Sequence, residues 1–142
     1  MKKLFKGLML FAIAIILTST INAQEQSNVL GITTQLKLDG IQSEVNVFNI
    51  IITDDENNEF AFSAKESFTC DLNLDHSYTI IIKSNNYTSQ FIVIDANGAI
   101  KTPQVYDIQA NLNKYPSADN TIKVDYVEYS KDLDKFIKTS KN

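Results

Sequence analysis

Six acidic side chains in this 142-residue sequence fall in three turn-like segments and could together bind a cation. They are Asp54, Asp55, Glu56, Glu59, Asp75 and Asp95. If the intervening strands run up and down, alternate turns meet at one end of the fold, and carboxylate oxygens are the ligands that calcium prefers. The segments lack the Asp-x-Asp-x-Asp-Gly spacing of a calcium loop, and Asp is also an ordinary turn former. We expect a structural role in turns, with a calcium site as the alternative.

Reactive groups that could form a catalytic site are few. The single histidine, His76, lies between Asp75 and Ser77 in a predicted turn, where adjacent side chains do not aim at one another as a triad requires. The single cysteine, Cys70, alternates with apolar neighbours, which predicts a buried and unreactive thiol. Phosphate-binding Gly-rich loops, Cys-x-x-Cys and His-Glu-x-x-His motifs do not occur in the sequence. We therefore expect no enzyme, no catalytic residues and no cofactor.

The first 23 residues have the composition of a signal peptide. Three lysines within the first six residues form a basic start, the apolar run 8–17 follows, and Ala23 supplies a small residue at the expected cleavage position. This apolar run is about half as long as the ~20 residues that a membrane-spanning helix needs. We expect an exported protein, periplasmic or secreted to the cell surface, without an integral membrane segment after cleavage.

Charge disfavours nucleic acid as a partner. All 17 acidic residues follow Ala23, where only ten of the 13 lysines lie, so the predicted mature chain has a net charge of −7. The sequence contains no arginine, although phosphate and base-edge recognition depend on arginine forks and basic patches. Nucleic acid is therefore a poor candidate partner, and we expect a monomer or weak dimer.

Alternating apolar residues predict the β-strands that position these turns. The clearest stretch is 68–95, FTCDLNLDHSYTIIIKSNNYTSQFIVID, which contains three strands separated by polar turns. Five further strands are predicted at 30–38, 44–53, 59–64, 106–112 and 122–126. The pattern predicts an all-β fold, a single β-sandwich of seven or eight strands over 24–112. Residues 113–142 are expected to form a C-terminal extension packing on the sheet, as an extra strand plus a short tail or helix.

Two of the predicted strands are apolar on both faces, although a strand in a two-layer sandwich normally keeps one wet face. These strands contain Ile80-Ile81-Ile82 and Phe91-Ile92-Val93-Ile94. We expect tail residues to cover the outer face, and the alternative is an exposed patch that binds a partner or a second copy. The expected outer residues are Ile81, Ile92 and Ile94, and the expected cover is Tyr126, Tyr129 and Phe136.

Tyr78 resembles the tyrosine corner of immunoglobulin-like sandwiches, in which the hydroxyl binds the connecting backbone. Residues 28–96 as a whole resemble the carboxypeptidase regulatory-like (transthyretin-like) β-sandwich of exported bacterial envelope proteins. The matching residues are Gly31, Val45-Asn46-Val47, Phe60-Ala61-Phe62, Tyr78-Thr79-Ile80-Ile81-Ile82 and Asn86-Tyr87, with Asn86 replacing the usual glycine. The resemblance implies an immunoglobulin/transthyretin-like β-sandwich that serves as a noncatalytic accessory module for binding or structure, with a protein or glycan of the cell envelope as partner. The alternative is a calcium-stabilised or carbohydrate-binding domain that uses the acidic turns.

Overall fold

Nine β-strands in two packed sheets form the computed structural model, which describes residues 28–39, 47–99, 104–115 and 122–140. The strands are β1 Val29–Leu38, β2 Phe48–Asp54, β3 Glu59–Ala64, β4 Ser67–Asn73, β5 Ser77–Lys83, β6 Gln90–Asp95, β7 Gln104–Leu112, β8 Lys123–Ser130 and β9 Lys135–Thr139. The predicted all-β sandwich is confirmed, with nine strands instead of seven or eight. None of the described ranges holds a helix long and apolar enough to cross a membrane.

The smaller sheet has three strands in the order β4-β1-β7. The central strand β1 runs antiparallel to β4 and parallel to β7. Its even-numbered residues Leu30, Ile32 and Leu36 are buried, as the period-two alternation predicts. The three-stranded sheet therefore presents an apolar inner face to the second layer.

The larger sheet has six strands in the order β3-β2-β5-β6-β8-β9. The inner side chains of the central strands form rows across the sheet. Ile52 of β2 is in register with Ile80 of β5, and Ile80 is in register with Ile92 of β6. Each of these three side chains is buried against the smaller sheet. Burial of such a side chain contributes about 1.5–3 kcal/mol, so these rows hold the two layers together.

The predicted outer face of the two-sided strands is corrected by this register. Ile92 and Ile94 lie opposite the buried Ile80 and Tyr78, so both side chains point into the core instead of outward. The side chains on the outer side are Ile81, as predicted, together with Phe91 and Val93. The sequence showed that β6 is apolar on both faces. It did not show whether the odd-numbered or the even-numbered residues of β6 point into the core.

The C-terminal residues extend the larger sheet edgewise. β8 pairs in parallel with β6, and β9, which lies where a tail or short helix was expected, pairs antiparallel with β8. The expected cover over the outer face is wrong for two of its three residues. Phe136 is buried, with Tyr129 packed against the core beside it at 5.4 Å between ring centroids. Only Tyr126 lies on the outer face, in register with Val93.

Asn and Asp residues shape several of the connections. Four of them adopt positive φ, as the sequence suggested for Asn86: Asn57, Asp75, Asn86 and Asp134. The hydroxyl of Tyr78 donates a hydrogen bond of 3.1 Å to the carbonyl of Asn73, which confirms the predicted tie to the connecting backbone. Residues 1–23 and Val45 lie outside the described residues, and β2 alternates regularly from Phe48 onward.

Candidate functional site

The three predicted acidic turns meet at one end of the sandwich. Asp55, after β2, forms an ion pair of 2.7 Å with the Nδ1 atom of His76, between β4 and β5. The backbone N–H of Ser77 donates to the second Asp55 oxygen at 3.1 Å. The Ser77 hydroxyl in turn donates to Asp95, at the end of β6, at 3.3 Å. The predicted convergence of these turns is therefore present.

Carboxylate oxygens of Asp54, Asp55 and Asp95 accept hydrogen bonds from the protein itself. Asp54 accepts the backbone N–H groups of Glu56 and Asn58, and the Asn58 side chain holds the pKa of Asp54 below its usual value. Asp95 accepts the backbone N–H of Asn97 at 3.1 Å. Across the ranges that the structure describes, no three His, Cys, Asp or Glu side chains are placed to hold a metal ion. The calcium site stays a prediction, and these carboxylates act as turn-forming groups.

The sequence did not suggest that Asp55 and His76 would contact each other. The two residues are 21 positions apart, and only the meeting of two turns brings them together. Their hydrogen bond raises the pKa of His76 and lowers the pKa of Asp55. The histidine therefore pairs with a carboxylate that belongs to another turn.

The thiol of Cys70 is unsuited to nucleophilic chemistry. It lies on the inner side of β4 opposite Ile32 and is partly buried. Burial, assisted by the nearby charge of Asp71, raises the pKa of Cys70 to about 11. Because the thiolate is the reactive form, this raised pKa disfavours reaction of the thiol at neutral pH.

A band of partly exposed apolar side chains crosses the outer face of the six-stranded sheet. One registered row joins Ile51, Ile81, Phe91 and Val124, and the next row joins Val93 and Tyr126. We call these six residues the outer apolar band. Val124 is 41% exposed, and no third layer of described strands lies over the band. Apolar residues gathered on a wet sheet face are typical of contact surfaces.

Acidic residues border one side of the outer apolar band. Asp95 and Glu128 are directly in register on β6 and β8, and both are exposed. Asp55 adjoins them through Ser77, which binds both aspartates. At the opposite border, Lys83 lies opposite Asn49. The acidic border gives this face a preference for a positively charged partner.

A groove runs beside β7, at the edge of the smaller sheet. Its volume is about 210 Å³, and one of its walls consists of four consecutive β7 residues. Its base is formed by inward-facing residues of β6, β8 and β9. The lining residues are Ile92, Tyr106, Asp107, Ile108, Gln109, Asp125, Val127 and Lys138. We call this feature the β7 groove.

Three polar side chains contact one another beside the β7 groove, and of these Gln90 and Asp125 are buried and Lys138 is exposed. The Gln90 side-chain amide donates to Asp125 at 2.7 Å, and the Lys138 ammonium pairs with the other Asp125 oxygen at 2.6 Å. Asp125 is only 9% exposed, so it needs both partners to offset its lost hydration. Burial raises the pKa of the adjacent Tyr106 hydroxyl.

Comparison with known proteins adds nothing to this geometry. No protein-family model matches the sequence. No curated protein matches it either. The case for a function therefore depends on the surfaces described above.

Proposed function

We propose that this protein is a noncatalytic, exported β-sandwich that serves as an accessory binding module in the bacterial cell envelope. The observation that carries the proposal is the outer apolar band. The resemblance to carboxypeptidase regulatory-like domains and the leader-like first 23 residues support the cellular setting. A protein surface is the proposed ligand of this face.

The residues of the band favour a protein ligand over a sugar. Sugar-binding faces stack their ligands on exposed aromatic rings, whereas four of the six side chains in the outer apolar band are aliphatic: Ile51, Ile81, Val93 and Val124. Aliphatic area gains free energy by burial against other apolar groups, at roughly 25 cal/mol per Å². The partner we propose has an apolar surface with lysine or arginine along the side that meets Asp95 and Glu128.

The polar chemistry of the described residues supports a noncatalytic role. Asp54, Asp55 and Asp95 bind turn groups, and the Cys70 thiol is protonated. An enzyme requires a nucleophile or a general base held within reach of a substrate. A binding module requires only an accessible surface, and the partly exposed outer apolar band supports that role.

Site-specific photo-crosslinking in the native envelope tests the proposal. A photoreactive amino acid replaces Phe91 in one variant and Val124 in a second. The control variant carries it at Leu133, which is 57% exposed but lies in the β8–β9 turn, away from the band. We expect the same protein adduct at positions 91 and 124, no such adduct at position 133, and loss of the adduct in the Ile81→Gln background.

Two crosslinking results would contradict the proposal. Equal adducts at all three positions, or none at 91 and 124, would mean that the band is not a binding surface. Sedimentation velocity of the purified protein distinguishes a second copy from a different partner. If wild type dimerises and Phe91→Gln does not, the occupant of the band is another copy of this chain.

A further inference from the structure

The β3 strand forms one edge of the six-stranded sheet, where its partner among the described strands is β2 alone. Its sequence is EFAFSA, without the lysine or proline that commonly protects an edge from pairing. The edge strand on the other side of this sheet, β9, has five residues, two of which are lysines. Of these two edges, β3 is therefore the more open to an added strand.

The backbone groups that β3 turns away from β2 belong to Glu59, Ala61 and Ser63. The N–H of Asp54 donates to the carbonyl of Asn58 at 3.1 Å, which makes these two residues a hydrogen-bonded pair in the register of the β2–β3 ladder. Hydrogen-bonded pairs recur at every second residue, so the backbone groups of even-numbered β3 residues face β2 and those of odd-numbered residues face away. Within the described ranges, no backbone hydrogen bond outside this ladder reaches the three odd-numbered residues.

An exposed aromatic side chain lies beside these backbone groups. Phe60 is 64% exposed, although it is in register with Ile52, whose side chain is buried on the inner side of β2. The smaller sheet therefore does not cover the start of β3. The ring of Phe62 lies 5.5 Å from that of Phe60 and 5.3 Å from that of the buried Phe68. Aromatic rings contribute strongly to the free energy of protein contacts, so this edge has apolar area to bury.

We propose that β3 is a self-association edge, at which two copies of this chain pair antiparallel with Ala61 of each copy at a two-fold axis. The two six-stranded sheets then form one continuous sheet. This inference goes beyond the proposed function, because it uses the edge of the sheet and does not depend on a ligand of the outer apolar band.

The sequence of β3 is self-complementary in this register. Ala61 faces Ala61 of the second copy, and Glu59 faces Ser63, so the outward N–H and C=O groups of all three residues are paired. Phe60 faces Phe62 of the second copy, and such cross-strand aromatic pairs stabilise a sheet. Glu59, the only charged residue of the strand, lies opposite an uncharged serine. A second copy therefore matches both the hydrogen bonds and the side chains of this edge.

The pairing also joins the outer apolar bands of the two copies. The two-fold axis of an antiparallel edge pair is perpendicular to the sheet, so both outer faces lie on the same side. Ala61 is in register with Ile51, a member of the band. The row that contains Ile51 would thus continue through the two Ala61 residues into the second copy. The dimer would present two bands on one surface, which allows bivalent binding.

Sedimentation velocity of the purified protein over a range of concentrations tests the inference. A six-residue edge buries little area, so we expect a dimer at high micromolar protein and a monomer at low micromolar protein. Phe60→Gln alters two rings per dimer and should weaken the association about tenfold. The matched control is Leu133→Gln, a change at another exposed apolar residue that lies in the β8–β9 turn, and it should leave the association unchanged.

Proline at the axis tests the backbone contribution. Ala61→Pro removes an N–H group that faces away from β2, and proline is tolerated at such positions of edge strands. The variant should keep the fold and lose the dimer. Its amide spectrum verifies the fold, and Phe60→Gln gives a second test that leaves the backbone intact.

A single engineered cysteine tests the register. The two Ala61 Cα atoms of a hydrogen-bonded antiparallel pair would lie ~5.5 Å apart, within the range that a disulfide spans. Cys70→Ala removes the one natural thiol. In that background, Ala61→Cys should form a disulfide-linked dimer on mild oxidation much faster than Leu133→Cys.

Four results would overturn the inference. They are a monomer at millimolar protein, equal association of Phe60→Gln and Leu133→Gln, a dimer that persists in folded Ala61→Pro, and equal crosslinking from positions 61 and 133. Phe91→Gln distinguishes this inference from the proposed function, because Phe91 lies on the outer face and its change should leave the dimer intact. Loss of the dimer in Phe91→Gln but not in Phe60→Gln would place self-association on the outer apolar band instead.

Discussion

Individual Asp and Asn residues at the acidic end of the sandwich stabilise the backbone of the turns in which they lie. Asp54 accepts two backbone N–H groups, and Asn57 between them adopts a φ of 65°. These residue types tolerate positive φ and satisfy turn donors with short side chains. Their number in the sequence thus reflects the number of tight turns, and it is weak evidence for a metal site.

The hydroxyl group of Tyr78, in the tyrosine corner, should contribute measurably to the stability of the fold. Tyr78→Phe removes the 3.1 Å hydrogen bond to the Asn73 carbonyl but leaves the ring in place. The variant should lose about 1 kcal/mol of unfolding free energy, the usual net value of one such bond. Urea unfolding measures the loss. Tyr106→Phe is the control, and an equal loss in both variants would mean that the corner has no special role.

The Asp55–His76 pair predicts a pH-dependent contribution to stability. The raised pKa of His76 means that its stabilisation is complete below the ordinary value of 6.5 and is lost as pH rises through the folded value. The lowered pKa of Asp55 means that its stabilisation is present above 3.8 and is lost as pH falls through the folded value. Thermal melts should therefore show a larger deficit for His76→Gln near pH 5 than near pH 8.5.

The effect should be small because both side chains are partly solvated. Asp55→Asn should also lower the melting temperature at these pH values. The melting temperature of the double variant should be little lower than that of either single variant. A His76→Gln deficit that is independent of pH would show that the imidazole contributes by packing and not by charge. This pair was beyond sequence reasoning, because nothing local links residues 21 positions apart.

At the scale of strands, period-two alternation located most of the elements correctly. It could not assign the inner face of β6, since Phe91 to Ile94 are apolar at every position. There the register with β5 decides, because Ile92 lies opposite Ile80. β9 was missed because Lys135–Thr139 contains only two apolar residues, Phe136 and Ile137, which fit helical spacing equally well.

Two aromatic residues of the C-terminal strands should differ sharply in their contribution to stability. Phe136 is 5% exposed within the core, whereas Tyr126 lies partly exposed on the outer face. Phe136→Ala should cost about 3–5 kcal/mol, as for other large-to-small core changes. Tyr126→Ala should cost about 1 kcal/mol or less. Urea unfolding of both variants measures the contrast, and a larger loss for Tyr126→Ala would contradict the register of β8.

At the scale of the molecule, the unequal widths of the two sheets explain why the surfaces differ in character. The core lies where the three-stranded sheet covers the wider one. The alternation of apolar and polar residues along the strands predicted most of the core residues. The β7 groove could not be predicted, because it depends on β8 joining β6 in parallel, a long-range pairing with no local pattern. The outer apolar band and the β7 groove therefore both arise from topology.

Export is tested by the mass of the protein made in a Gram-negative host. Expression of the full sequence should yield a periplasmic or secreted product whose N-terminus is Gln24, since Ala23 supplies the small residue before the cut. Intact-mass spectrometry of the periplasmic and cytoplasmic fractions gives the readout. A leader variant with Lys2, Lys3 and Lys6 changed to glutamate should accumulate uncleaved. Recovery of only the full-length chain in the cytoplasm, from the wild-type sequence, would rule out the export prediction.

Calcium should leave the stability of residues 24–142 nearly unchanged. A ligand that binds only the folded state raises stability by RT ln(1 + [L]/Kd), so a site filled at a hundredfold excess over its Kd would add about 2.7 kcal/mol. Asp54, Asp55 and Asp95 already accept hydrogen bonds from their own turns, and a calcium ion would have to displace those donors. Thermal melts in EDTA, in millimolar calcium and in millimolar magnesium should therefore coincide. A rise of several degrees with calcium alone, abolished by Asp55→Asn, would show that the acidic turns rearrange around the ion, and would make calcium-dependent binding at that end the better account of function.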